Sequence, residues 1–259
     1  MKLRKAFEIV QKHLGLSGLR FMRILVFSDI HANIYALRSL LERERFDEVI
    51  FLGDAVDYGT RPSETVDVLR SLKPRRVMGN HDHAASFGVD CYCAQENHEL
   101  SVYTRQNITL KQLSKSDLAF LAQAPIEGHF EFDNLKIAAF HGSPFDPLYG
   151  YLYPWLISKS EVFTNKLGVP LEEQVVLVGH THYLFTTSFA GYRVINPGSA
   201  GQPRDDDTRP SYVILNTDNG SVELHRFDYP RDLLKKEILT EVEQPEMRAR
   251  LLKLFRVAT

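Results

Sequence analysis

The chain has 259 residues, 44% of them hydrophobic and 25% charged, with a formal net charge of −2. Its size and apolar content suffice for one large core, and single α/β domains reach this length. The near-neutral charge excludes a general attraction to nucleic acid or to an anionic membrane surface.

No apolar run approaches the length of a membrane span. The only cysteines, Cys91 and Cys93, stand in Cys-Tyr-Cys. That spacing suits neither an ordinary disulfide nor a zinc knuckle and points to reduced thiols in a cytoplasm.

Residues 1–21 carry Lys2, Arg4, Lys5, Lys12 and Arg20 against Glu8, and Leu3, Phe7, Val10 and Leu14 recur at helical spacing. The segment lacks the apolar centre of a secretory signal. It reads as a basic amphipathic extension, packed on the domain or on a partner, ahead of a single domain over residues 22–259. An apolar run at 23–28 then enters Asp29-Ile30-His31. A helical pattern from Asn33 to Glu44 follows, with Ala36, Leu37, Leu40 and Leu41 on one face and Asn33 as its cap. Residues 49–52 lead to Gly53-Asp54, a second helix opens at Pro62, and residues 76–78 lead to Gly79-Asn80-His81-Asp82. This βαβαβ order predicts parallel strands with a site just beyond their carboxyl ends.

Residues 94–123 read as helical, and 126–132 with 135–140 as a hairpin across Asp133-Asn134 that runs into His141-Gly142. The aromatic, turn-rich stretch 143–160 is either a wall of a substrate pocket or plain loop packing. Residues 175–178 enter Gly179-His180-Thr181-His182. Two more hairpins, turning at Ala190-Gly191 and at Asp218-Asn219-Gly220, are assigned with the first to a second sheet, and one or two helices follow Pro230. Two mixed sheets with helices outside predict a four-layer α/β/β/α sandwich.

Each polar cluster ends an apolar run. Asp29, His31, Asp54, Asn80, His141, His180 and His182 have the chemistry to ligate two adjacent cations, Asp54 being a carboxylate that can bridge them. Extended backbone would put Asp29 and His31, and likewise His180 and His182, on one side. Imidazole and oxygen ligands without thiolate favour Mn, Fe, Zn, Co or Ni over Ca. Such a pair suits phosphate-ester hydrolysis, in which metal-activated hydroxide attacks and the cations absorb the developing charge.

The set Asp29-x-His31, Gly53-Asp54, Gly79-Asn80-His81-Asp82, His141 and Gly179-His180-x-His182 resembles the calcineurin-like metallophosphoesterases over roughly residues 22 to 228. Ser28 to Asn33, Asp57-Tyr58-Gly59 and Asn196-Pro197-Gly198-Ser199 are similar to the small prokaryotic, phosphodiesterase-like branch. The family commonly has Gly where Ala32 stands, a change expected to matter little. The resemblance implies the same sandwich fold. It also implies one metal on Asp29, His31 and His182, a second on Asn80, His141 and His180, and Asp54 between them. His81 would protonate the leaving oxygen, with Asp82 orienting or supporting it.

The resemblance implies a dinuclear-metal-dependent phosphoesterase acting on a phosphodiester or related small phosphate ester. A dinucleoside polyphosphate hydrolase, a protein phosphatase and a non-catalytic scaffold, as in a retromer subunit of this fold, are the alternatives. Protein phosphatases of the family carry an Arg where Tyr58 stands and Glu where Asp82 stands, which counts against that reading. Arg204 either clamps a phosphate oxygen or pairs with the neighbouring Asp205, Asp206 and Asp207. His83 reads as structural, and His13, His98, His129 and His225 as core or surface residues. Substrate identity and oligomeric state stay open.

Overall fold

The computed structural model describes residues 22–157 and 170–257; the basic extension expected over residues 1–21 lies outside them. Strands β1 (Arg23–Phe27), β2 (Glu48–Phe51) and β3 (Arg75–Arg76) run parallel, joined by helices α1 (Ile34–Arg43) and α2 (Pro62–Leu72). The helices start where the sequence says they should. Asn33 accepts a hydrogen bond from the Ala36 amide at 3.1 Å, and Pro62 occupies the first turn of α2.

The strands read as continuous apolar runs because both of their faces are buried. In β1 and β2, Ile24, Val26, Ile50 and Leu52 join an inner core with Ile137, Ala139, Val175, Leu177 and Ile195 of the second sheet. The alternate residues Leu25, Phe27, Val49 and Phe51 pack on the helical side with Ile34, Leu37, Leu40, Val66 and Leu69. The second sheet has the order β4 (Glu127–Phe132), β5 (Leu135–Phe140), β6 (Val175–Leu177), β8 (Tyr192–Pro197) and β7 (Leu184–Phe189). Its three central strands are parallel and its outer ones close antiparallel hairpins. Over its far face, among the described residues, lies the segment after His141, with Leu152 and Ile157 packed on Phe140, Val176 and Val178.

One expectation about the sheets is corrected. The hairpin of β9 (Ser211–Asn216) and β10 (Val222–Arg226) belongs to the first sheet, where β9 pairs antiparallel with β1 from Arg23↔Asn216 to Val26↔Val213. Val213 and Leu215 point into the inner core and Tyr212 and Ile214 toward the helices. A strand buried on both faces fits either sheet by composition; only the unpaired edge of β1 decides which.

The strand ends are not extended, as the Asp-x-His spacing suggested. Asp29, His31, Ala32, Asp54, Asp57, Tyr58, His180 and His182 all have φ between 48° and 65°. Asp and His tolerate this left-handed region better than most residues. The curled loops still satisfy one another: the amides of Asp29, His31 and Ala32 donate to the carbonyls of Gly53, Asp54 and Ala55 at 2.9, 3.0 and 2.8 Å. Gly53, at φ 93°, has no room for a side chain, since a Cβ there would lie 2.4 Å from the Gly79 amide nitrogen.

Ala32 has φ 50° and is fully buried. Left-handed backbone costs a residue with a Cβ roughly 1–2 kcal/mol, partly offset by the lower chain entropy of Ala when unfolded. Ala32→Gly is therefore expected to stabilise the protein by up to about 1 kcal/mol, read from urea unfolding midpoints at constant m-value.

Candidate metal centre

The loops after β1, β2, β5 and β6, with the start of helix α3 (Asn80–Phe87), bring the seven candidate ligands to one place, each no more than 3% exposed. The far nitrogens of three imidazoles are fixed by backbone carbonyls. His31 Nδ1 donates to Val56 O at 3.1 Å, His141 Nδ1 to Leu52 O at 2.7 Å and His182 Nδ1 to Gln202 O at 2.5 Å. A carbonyl only accepts, so Nδ1 carries a proton in each ring and Nε2 is the atom turned to the centre, a ligand wherever it carries no proton of its own. The Asn80 amide is oriented by the same logic, its Nδ2 donating to Cys91 O at 2.7 Å so that Oδ1 turns inward.

The inward atoms form two overlapping groups. In the first, His182 Nε2 lies 3.3 Å from His31 Nε2 and 3.2 Å from Asp29 Oδ1. In the second, His141 Nε2 lies 3.0 Å from Asn80 Oδ1, 3.1 Å from His180 Nδ1 and 3.3 Å from Asp54 Oδ2. The same Asp54 oxygen is 3.7 Å from His31 Nε2, so it stands between the groups. Acceptors this close in a dry interior repel unless a cation or proton lies among them. Burial, aided by like-charged neighbours, holds His31 and His180 well below the usual imidazole pKa. Burial also works against charging His141, yet the Asp54 charge beside it lifts its pKa to about 9. The donor set therefore fits divalent cations, with a proton on His141 as the substitute when none is bound.

Asp82 does not hold His81. Its carboxylate accepts from the backbone amides of Asp54 at 2.9 Å and Ala55 at 2.8 Å, tying the β2 loop to α3. Burial and the nearby Asp54 charge push its pKa up to about 6. The His81 ring instead donates from Nδ1 to Asp57 Oδ2 at 3.0 Å. Asp57 is completely buried and is gripped by Arg105 at 2.9 and 2.7 Å and by Thr109 Oγ1 at 3.0 Å. Arg105 and Thr109 bound a π-helical turn, Arg105–Thr109, that follows helix α4 (Gln95–Thr104). Burial disfavours a charged His81, but the Asp54 charge and the Asp57 hydrogen bond raise its pKa above the usual imidazole value. Sequence reasoning gave Asp57, Arg105 and Thr109 no role. A helical i, i+4 pair signals only a shared face, and nothing local says what that face meets.

Arg204 does not pair with the Asp run beside it. Asp205 is taken by Arg226 and Asp207 by Arg209. One Arg204 nitrogen donates to Gln202 Oε1 at 3.1 Å, and its buried Nε has no hydrogen-bond partner among the described residues. With burial, its charge keeps the His182 pKa low, and it works against the burial that raises those of Tyr58, Tyr151 and Tyr153. Tyr58 is buried against the His31 and His81 rings, with centroids 4.9 Å from each. His83 bonds the Tyr149 hydroxyl at 3.2 Å, and His98, His129 and His225 contact Asp90, Glu173 and Glu223.

Curled loops at the strand ends, a buried imidazole and carboxylate cluster and a held His81 describe a phosphoesterase scaffold. Residues 22–220 match the calcineurin-like phosphoesterase superfamily domain, and the chain belongs to that superfamily. An uncharacterized protein of Methanocaldococcus jannaschii is 29% identical over 80% of this chain and 87% of its own length. The crystal structure of a metallophosphoesterase from Sphaerobacter thermophilus is 29% identical and superposes with a TM-score of 0.70, covering 91% of this chain and 100% of that one. A hypothetical protein from Pyrococcus horikoshii shares the fold at 18% identity, with a TM-score of 0.73 over 88% of this chain and 97% of its own. No described helix is long and apolar enough to cross a membrane.

Two variants separate the roles of the buried carboxylates. Protein loaded with Mn is expected to hold about two ions per chain, and Asp54→Asn to lose both together because its oxygen faces both groups. Asp82→Ala is expected to lower folding stability by about 1–3 kcal/mol through its unpaired amides. Mass-spectrometric metal content and thermal melts of both variants check this.

Proposed function

We propose that this chain is a dinuclear-metal-dependent phosphoesterase that hydrolyses a phosphodiester or related small phosphate ester. The observation that carries this reading is the set of Nε2 lone pairs, aimed by backbone carbonyls onto a buried centre beside Asp29 and Asp54. Asp29, His31 and His182 would hold one cation, Asn80, His141 and His180 the other, and Asp54 both. When bound, the metals would supply an activated water and offset charge on the phosphoryl oxygens.

His81 supplies the proton. Its Nδ1 is committed to Asp57, which fixes the ring and leaves Nε2 to protonate the leaving oxygen. Asp57 favours the charged ring, and Arg105 and Thr109 keep Asp57 from rotating away. Arg204 contributes a guanidinium to a non-bridging phosphate oxygen.

The substrate preference follows from the cation count. Arg105 is spent on Asp57, and an aromatic ring, Tyr58, fills the position where protein phosphatases of the family have Arg. Among the described residues Arg204 alone offers a guanidinium to this centre. One such group suits a diester monoanion, whereas a monoester dianion normally recruits more cationic side chains. Catalytic efficiency on bis-nitrophenyl phosphate is therefore expected to exceed that on nitrophenyl phosphate and on a phosphopeptide under one metal. A reversal by about tenfold, or ~1.4 kcal/mol in transition-state binding, would overturn the diester assignment.

The acid role is tested separately. His81→Ala is expected to keep its metal and lose roughly 10²–10⁴-fold in kcat on alkyl esters, and far less on nitrophenyl esters whose leaving oxygen needs little protonation. Asp57→Asn removes the partner that raises the His81 pKa, so the ring loses its proton at lower pH. The alkaline limb of the kcat profile should move downward in pH, while the ester series keeps its leaving-group dependence.

A further inference from the structure

The segment after His141 carries Tyr151, Tyr153 and Trp155 at every second position, alternating with Leu152, Pro154 and Leu156. Tyr153 is extended, with φ −87° and ψ 152°, and caps a 3-10 turn, Pro154–Leu156, that carries Trp155, so the rings are brought together by this turn and by their own stacking. Leu152 goes inward, buried against Phe140 and Val176, and anchors the segment. The three rings form a comb on the other side. The Tyr151 ring centre is 4.1 Å from that of His180, a candidate ligand. Tyr153 lies 6.1 Å further on at 12° to Tyr151, and Trp155 stacks on Tyr153 at 4.6 Å and 10°. Tyr183, next in sequence to His182, braces the outer pair edge-on, 5.4 Å from Tyr153 and 5.6 Å from Trp155.

Leu152 and Ile157 anchor the segment on both sides of the outer rings, yet Trp155 between them is stacked against two neighbouring rings while 62% exposed, which packing of the segment does not require. An ordered aromatic face left in water beside a reactive centre is the mark of a ligand subsite. Arg204 lies two residues after Gln202, whose carbonyl holds His182, and its buried Nε lacks a hydrogen-bond partner among the described residues; its charge also bears on Tyr151 and Tyr153. A ligand that satisfies all three parts has an anionic phosphate, a planar aromatic end and a linker that spans the inner rings of the comb.

We infer that Trp155, backed by Tyr153, forms a nucleobase subsite, so that the ester is a nucleotide whose base stacks on the open face of Trp155 while its phosphate end reaches toward Arg204 and the metal centre. The inference rests on the phosphoesterase reading for the phosphate end; the stacking end stands on the ring geometry. The comb approaches the bases through their faces, which selects for planarity and size rather than for one base.

Trp155 is the sole tryptophan, so its fluorescence reports on this subsite alone. Titration of the full chain with AMP, corrected for absorption by the titrant, is expected to quench Trp155 saturably, whereas ribose 5-phosphate leaves it unchanged. Trp155→Ala is expected to lower the ratio of kcat/KM on a nucleotide ester to that on a ringless alkyl ester about tenfold, the loss typical of removing one base-stacking ring. Trp155→Phe should restore most of that ratio. Quenching by phenyl phosphate but not by AMP, no quenching by either, or an unchanged ratio in Trp155→Ala would overturn the subsite. Retained AMP quenching in a protein that hydrolyses no phosphate ester would instead overturn the phosphoesterase reading alone.

Discussion

The structure depends on a repulsion that the fold itself arranges. Backbone carbonyls of Val56, Leu52 and Gln202 accept hydrogen bonds from the Nδ1–H groups of His31, His141 and His182. This forces bare Nε2 atoms together with Asp29 and Asp54 where water cannot screen them. Those carbonyls belong to the ends and connections of the sheets, so the ring orientations are inherited from strand packing. A site built in this way is preorganised: the cost of bringing acceptors together is met by folding, and cations would bind to an arrangement already made.

The same economy explains the backbone strain. Each strand must stop, turn its side chains inward and leave room for the next loop within a few residues. Left-handed conformations at Asp29, His31, Asp54, His180 and His182 achieve that. Strain of this kind persists only where the surroundings over-determine it. Here the inter-loop hydrogen bonds, the close approach of Gly53 to Gly79 and the Asp82 grip on the Asp54 and Ala55 amides do so. Asp57 serves the neighbouring layer. Buried and hydrogen-bonded by His81, Arg105 and Thr109, it converts a π-helical turn some fifty positions along the chain into a constraint on His81.

Around this fixed interior the variable part is the wall. Arg204 and the aromatic comb reach the centre from loops whose bases are held by core residues such as Leu152 and by neighbours of the ligands such as Tyr183. Loops on a rigid scaffold change their surface chemistry without disturbing what they stand on.

That Asp29, His31, Asp54, Asn80, His141, His180 and His182 meet in one place was legible in the sequence, because each stands at or just after the end of an apolar run and strand ends converge in open α/β sheets. The parallel core of the first sheet and the three hairpins were legible from period and turn residues. What the sequence could not carry was everything decided by contacts between distant segments. The β9–β10 hairpin joins the first sheet because β1 has an open edge, and a doubly buried strand has no pattern that names its neighbour. Asp57 rather than Asp82 holds His81, since adjacency along a helix does not place two side chains together while a left-handed loop twenty-four positions earlier does. The residue types and their order determined the chemistry available; the tertiary structure decided which atom faces which, because orientation in a buried polar site is fixed by hydrogen bonds between residues far apart in the chain.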